Sequence, residues 1–99
     1  MKNIILSADG DSVIYSVPDA VADNLRKYCL DFSKWIYNSP DAKKYRVGKG
    51  VCFTEADFID YLNQYVFPNE QSTFVKNIGW TDGSKKLQDE YKVYPSFSF

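Results

Sequence analysis

Apolar and polar positions alternate with two different periods along this chain, and the changes of period mark its elements. Residues 2–7 and 12–17 read as strands. In the second, Val13, Tyr15 and Val17 lie on one face, and Ser12, Ile14 and Ser16 on the other. Asp9-Gly10 between the two runs is a hairpin signal. Pro18 ends the second strand and suits the first turn of a helix.

From Asp19 to Asn38 the period becomes helical. Val21, Leu25, Tyr28, Cys29, Phe32, Trp35 and Ile36 fall on one side and form a core-facing stripe. Ser39-Pro40 stops it. Lys43 to Phe53 predicts a second hairpin around Gly48-Lys49-Gly50. Thr54, with Asp57 three residues on, is a variant of the capping box. It opens a helix running to about Phe67, with Phe58, Ile59, Leu62, Tyr65 and Val66 on its apolar face. Ser72 to Ile78 reads as a short third helix stopped by Gly79. Thr81-Asp82-Gly83-Ser84 reads as a turn, and Lys85 to Tyr91 as one or two helical turns. The last residues, Val93 to Phe99, alternate ring and small residue as an extended strand does. A tail ending in Phe97 and Phe99 is expected to dock on the body, because free rings would stay in water.

This order predicts one compact α+β domain over residues 1–99. Two β-hairpins form a small, mostly antiparallel sheet packed against two main helices and a short third helix, with an extended aromatic C-terminal tail. Charged residues at 25% and hydrophobic residues at 44% fit ordinary globular usage and argue against disorder. Aromatics reach 17%, which serves a small core or a binding surface equally well.

Chemistry narrows the picture further. Net charge is −1, against the basic excess of a general nucleic-acid binder. Histidine is missing altogether, which removes the commonest general base and the commonest metal ligand. Cys29 lies on the helical stripe and Cys52 inside Val51-Cys52-Phe53, so both are expected as buried free thiols. No apolar run has the length of a signal-peptide core or a membrane span, so a cytoplasmic home is expected.

Asp9-Gly10-Asp11 after an apolar strand superficially matches a D-x-D magnesium site, but a hairpin turn explains it better. Lys43, Lys44, Arg46 and Lys49, with Tyr45 among them, combine cations with a ring, a pattern that holds a nucleic-acid backbone and stacks a base. A solvated hairpin guarded by lysines is the plainer reading, and the acidic Glu55, Asp57 and Asp60 follow at once and blunt its field. Asp57 and Asp60 lie three apart on one helical face, suited to steering a basic partner. Leu30 and Tyr37 fall opposite the core stripe with Arg26 and Ser33 on their flank. Tyr, Leu and Arg aligned on one face is hot-spot composition, unless another part of the chain, such as the tail, covers it.

The expected function is that of a non-catalytic module, with no cofactor and no metal. It binds another protein stoichiometrically as an inhibitor or adaptor through Arg26, Leu30, Tyr37, Asp57 and Asp60. One concrete form is a phage- or plasmid-encoded antagonist of a host defence nuclease, similar to an anti-CRISPR protein, or an immunity factor. The alternative expectation is a nucleic-acid-binding module using Lys43, Lys44, Tyr45, Arg46 and Lys49. Self-association through Leu30 and Tyr37 fits the same residues.

Overall fold

The computed structural model describes residues 1–8, 11–48, 50–80 and 93–99. Strands β1 (Lys2–Ser7) and β2 (Asp11–Val17) pair antiparallel, from Lys2 opposite Val17 to Ser7 opposite Ser12. Ile4, Leu6, Val13, Tyr15 and Val17 enter the main core. Ile5 and Ile14 are paired with each other and are buried as well. A hairpin apolar on both faces belongs in the middle of a sheet. It lies there, in a four-stranded sheet of order β5-β2-β1-β6. Asp9 and Gly10, the expected turn between the two strands, lie outside the described residues.

Strand β6 (Ser96–Ser98) is the docked tail. It runs parallel to β1, and flanking bonds extend the pairing: Ile5 N–H to the Pro95 carbonyl (2.9 Å) and Phe99 N–H to the Ser7 carbonyl (2.8 Å). Phe97 and Phe99 pack against the core, as alternation of ring and small residue implies.

The other edge corrects the reading of Ser72 to Ile78 as a helix. Thr73–Trp80 is strand β5, antiparallel to β2. Its β-branched and aromatic residues favour a strand once β2 offers a hydrogen-bonding edge. Two register shifts interrupt the pairing, and irregular pairing of this kind is common on edge strands.

A short helix does accompany the two main ones, but it comes from the first helical segment. That segment divides at Asn24 into α1 (Asp19–Asp23) and α2 (Leu25–Asn38). Asn24 has φ −133° and donates from its side chain to the Ala20 carbonyl (3.1 Å), a local bond that competes with the helical ladder. The stripe survives the break: Val21, Leu25, Cys29, Phe32 and Ile36 are all buried. Lys2 pairs with Asp23 at 2.7 Å and ties β1 to the end of α1.

The second hairpin is shorter than expected and stays outside the main sheet. Pro40–Tyr45 forms a 3-10 helix, so Lys43, Lys44 and Tyr45 are helical. The cause is local. Ser39 Oγ accepts the Asp41 N–H (3.2 Å), Pro40 starts the turn, and buried Ala42 anchors it. Only β3 (Arg46–Val47) and β4 (Gly50–Val51) remain as a ladder, with Gly48 at φ +59° in the turn between them. Cys52, just beyond, is exposed and not buried as expected. Its N–H reaches the Tyr45 carbonyl (2.7 Å), so the chain is held by its backbone there.

Helix α3 (Glu55–Tyr61) starts as the capping pattern implies: Thr54 N–H donates to Asp57 Oδ2 at 2.8 Å. It widens into a π-helical turn, Leu62–Val66, closed by the Phe67 N–H on the Leu62 carbonyl (2.7 Å). Helices α2 and α3 pack on one face of the sheet around Phe32, Phe58 and Leu62, each fully buried.

Candidate functional site

The outward face of α2 carries the strip read from the sequence. Cys29, Phe32 and Ile36 commit the opposite side of the helix to the core, which turns Arg26, Leu30 and Tyr37 to solvent. Leu30 keeps 42% of its surface exposed and Tyr37 58%. Ser33 belongs less to the strip than its spacing suggests, because its Oγ donates to the Cys29 carbonyl (3.1 Å). The C-terminal tail does not cover these residues. Phe99 lies against Phe32, Phe53 and Phe58 instead.

The basic segment is divided among different tasks. Lys43 and Lys44 are exposed on the 3-10 helix. The Lys44 ammonium stands 5.0 Å from the Tyr45 ring centre, and a side-chain hydrogen bond to Tyr45 raises its pKa. Arg46 is turned inward. Its Nε donates to the Ile36 carbonyl (3.1 Å), and its terminal nitrogen donates to the Ser39 carbonyl. The guanidinium thus satisfies carbonyls at the end of α2 and favours the negative end of the helix dipole. Lys49 lies outside the described residues.

The acidic residues likewise separate. The Asp57 carboxylate caps α3, whereas Asp60 is exposed. Glu55 buries Oε2 without a hydrogen-bond partner among the described residues. Glu55 and Asp60, both from α3, act on Tyr15. Burial first, and then these two charges, push the Tyr15 phenol up to about 12.

A second surface was not read from the sequence. Trp35 meets Tyr61 (5.1 Å), Tyr65 (5.2 Å) and Tyr45 (6.0 Å). Tyr61 and Tyr65 sit four apart, a signal that α3 could have given alone. The meeting with Trp35 and Tyr45 depends on the tertiary fold. Tyr65 projects from the π-helical turn, a backbone form frequent at functional sites. Burial and the neighbouring Asp31 raise the Tyr61 phenol. Charges around these rings are mixed, with Lys44 and Asp57 close enough to act on each other.

Asp11 is exposed, with Asn77 Nδ2 3.5 Å from its Oδ2; its proposed partner Asp9 lies outside the described residues. Among the described residues no three Cys, Asp or Glu side chains converge as a metal site would need, and no helix is long and apolar enough to cross a membrane. Comparison of the chain with protein-family models, with curated proteins and with solved structures finds no match.

Proposed function

We propose that this protein is a non-catalytic binding module that acts in the cytoplasm by stoichiometric association with a larger protein, as an inhibitor or adaptor. The observation carrying this reading is the exposure of Leu30 and Tyr37, with Arg26, on one face of α2. A small domain that folds its last phenylalanines into the core yet leaves a Leu and a Tyr in water has surface to bury against something else. Steering of a basic, nucleic-acid-processing partner by acidic residues rests chiefly on Asp60, since the Asp57 carboxylate is engaged at the cap.

Capture from cell extract followed by mass spectrometry tests the reading. Wild-type protein should retain one partner in near-equal amount, and Leu30→Asp and Tyr37→Asp should each lose it while melting unchanged. A monomer that captures nothing, or capture unaffected by both substitutions, overturns it.

One observation favours a second reading, nucleic-acid binding. Tyr45, beside exposed Lys43 and Lys44, continues into the rings of Trp35 and Tyr65. It requires retardation of single-stranded probes at low salt that weakens steeply as salt rises. Absence of any shift at low salt removes it.

A further inference from the structure

Charge identifies the chemistry of the partner. Lys27, Leu30, Lys34 and Tyr37 recur at helical spacing on α2, and Arg26 lies one turn before Leu30. All five are exposed. The sole acid in α2 is Asp31, which is half-buried and acts on Tyr61 at the border with α3. Among the described residues the ion pairs are Lys2–Asp23 and the Met1 amine with Asp19, so no carboxylate among those residues is paired with Arg26, Lys27 or Lys34. Lys27 leans over the Tyr28 ring at 5.1 Å, a cation–π contact that leaves its formal charge in place on the face. The face is therefore cationic around an apolar centre, on a protein whose net charge is −1.

From this we infer that the α2 face docks an acidic segment of a partner protein, one whose carboxylates surround an apolar centre that covers Leu30 and Tyr37. The inference rests on the binding reading above and names the partner's chemistry. Three cations on one exposed helical face attract such a segment from a distance at low ionic strength and fix its register. Burial of Leu30 and Tyr37 then slows its release. Nucleic acid supplies negative charge, and its bases stack on rings such as Tyr37, but it brings no aliphatic side chains to cover Leu30. This is why a protein segment fits better.

The test is a nuclear magnetic resonance titration of the full chain with three probes. They are a fifteen-residue peptide of Glu and Leu at helical spacing, its Lys and Leu counterpart, and a fifteen-nucleotide oligothymidylate. The acidic peptide alone should shift amides of residues 25–38, and its Kd should rise several-fold as salt grows and the Debye length falls from about 10 Å. Lys27→Glu with Lys34→Glu should abolish the response without moving Tm, and Leu30→Ser should weaken it. Equal response to both peptides, no response to the acidic one, or a stronger response to oligothymidylate overturns the inference. Partner capture that is lost in Leu30→Asp but persists in the Lys27→Glu, Lys34→Glu protein removes this inference alone and leaves the binding reading standing.

Discussion

Phe99 and Phe53 stand edge to face, with ring centres 5.5 Å apart and planes at 88°. Phe99 also meets Phe32 and Phe58, and its N–H holds the Ser7 carbonyl, so the tail closes the core at the end of β1. Edge-to-face pairs add to area burial because the positive ring edge meets the negative face. Phe99→Ala should therefore cost about 3 kcal/mol in urea unfolding, toward the low end for such a truncation because the ring is only half-buried. Phe99→Leu should cost less than about 1.5 kcal/mol. A Phe99→Ala loss under about 0.5 kcal/mol would mean that the tail rests on the core without stabilising it.

Arg46 forms two charge-assisted bonds to the end of α2, on the carbonyls of Ile36 and Ser39. Hydrogen bonds to a charged group contribute about 1.5–3 kcal/mol each in favourable settings, and these are partly exposed, so the pair falls short of a simple sum. Arg46→Ala should lower stability by about 2 kcal/mol. Arg46→Lys should recover less than half, because an ammonium lacks the planar fork that reaches both carbonyls. Full recovery by lysine in thermal melts would show that charge near the helix end is enough.

Where the fold was legible, neighbours in sequence set the structure. The β1–β2 hairpin follows from alternation, the start of α3 from Thr54 and Asp57, and the docked tail from rings at every second position. Strand β5 was not legible for a physical reason. Phe74 and Val75 are exposed at 62% and 47%, so neither face is cleanly apolar, and the bulges break the period. Its strand character comes from the partner edge of β2. For the segment 40–45 the helical signal lies in Ser39-Pro40-Asp41, but Tyr45-Arg46-Val47 before Gly48 has the β-propensity of a hairpin arm and competes with it. The strip on α2 followed from spacing alone. Arg46 looked like a surface charge because nothing local reveals that its chain returns to the end of α2. The ring cluster around Trp35 likewise joins residues from three separate elements.

Alkaline pH should destabilise the protein. Burial pushes the Cys29 thiol up to about 12, and burial with Glu55 and Asp60 does the same to Tyr15. Unfolded thiols and phenols titrate near 8.5 and 10. Above those values the unfolded chain has released protons that the folded chain keeps, so stability falls with rising pH. It is intact below about pH 8.5, falls first through Cys29 and then also through Tyr15, and the loss continues toward pH 12. Each group contributes a slope of up to about 1.4 kcal/mol per pH unit. Between pH 9 and 10, where the thiol dominates, Cys29→Ala should melt lower than wild type at neutral pH but with a flatter dependence on pH. Parallel curves for the two proteins would show that Cys29 carries none of this dependence.

Asn63 holds the start of β5 against the π-helical turn. Its Oδ1 accepts the Ser72 N–H at 2.7 Å, and its Nδ2 donates to the Ser72 carbonyl at 3.1 Å. Ser72 is buried, and its hydroxyl has no hydrogen-bond partner among the described residues, so Asn63 supplies the polar contacts that offset burying this residue. Asn63→Ala should cost about 2 kcal/mol, the penalty of leaving a buried amide and carbonyl unpaired. Asn63→Asp keeps the acceptor and loses the donor, so it should fall between wild type and alanine. Ser72→Ala should be neutral or slightly stabilising, because it removes an unsatisfied hydroxyl. Amide hydrogen exchange gives the sharper readout: in Asn63→Ala, protection should drop in Thr73–Trp80 while β1 and β2 hold. Uniform loss across the sheet would place Asn63 in the global folding unit and not in a local clamp.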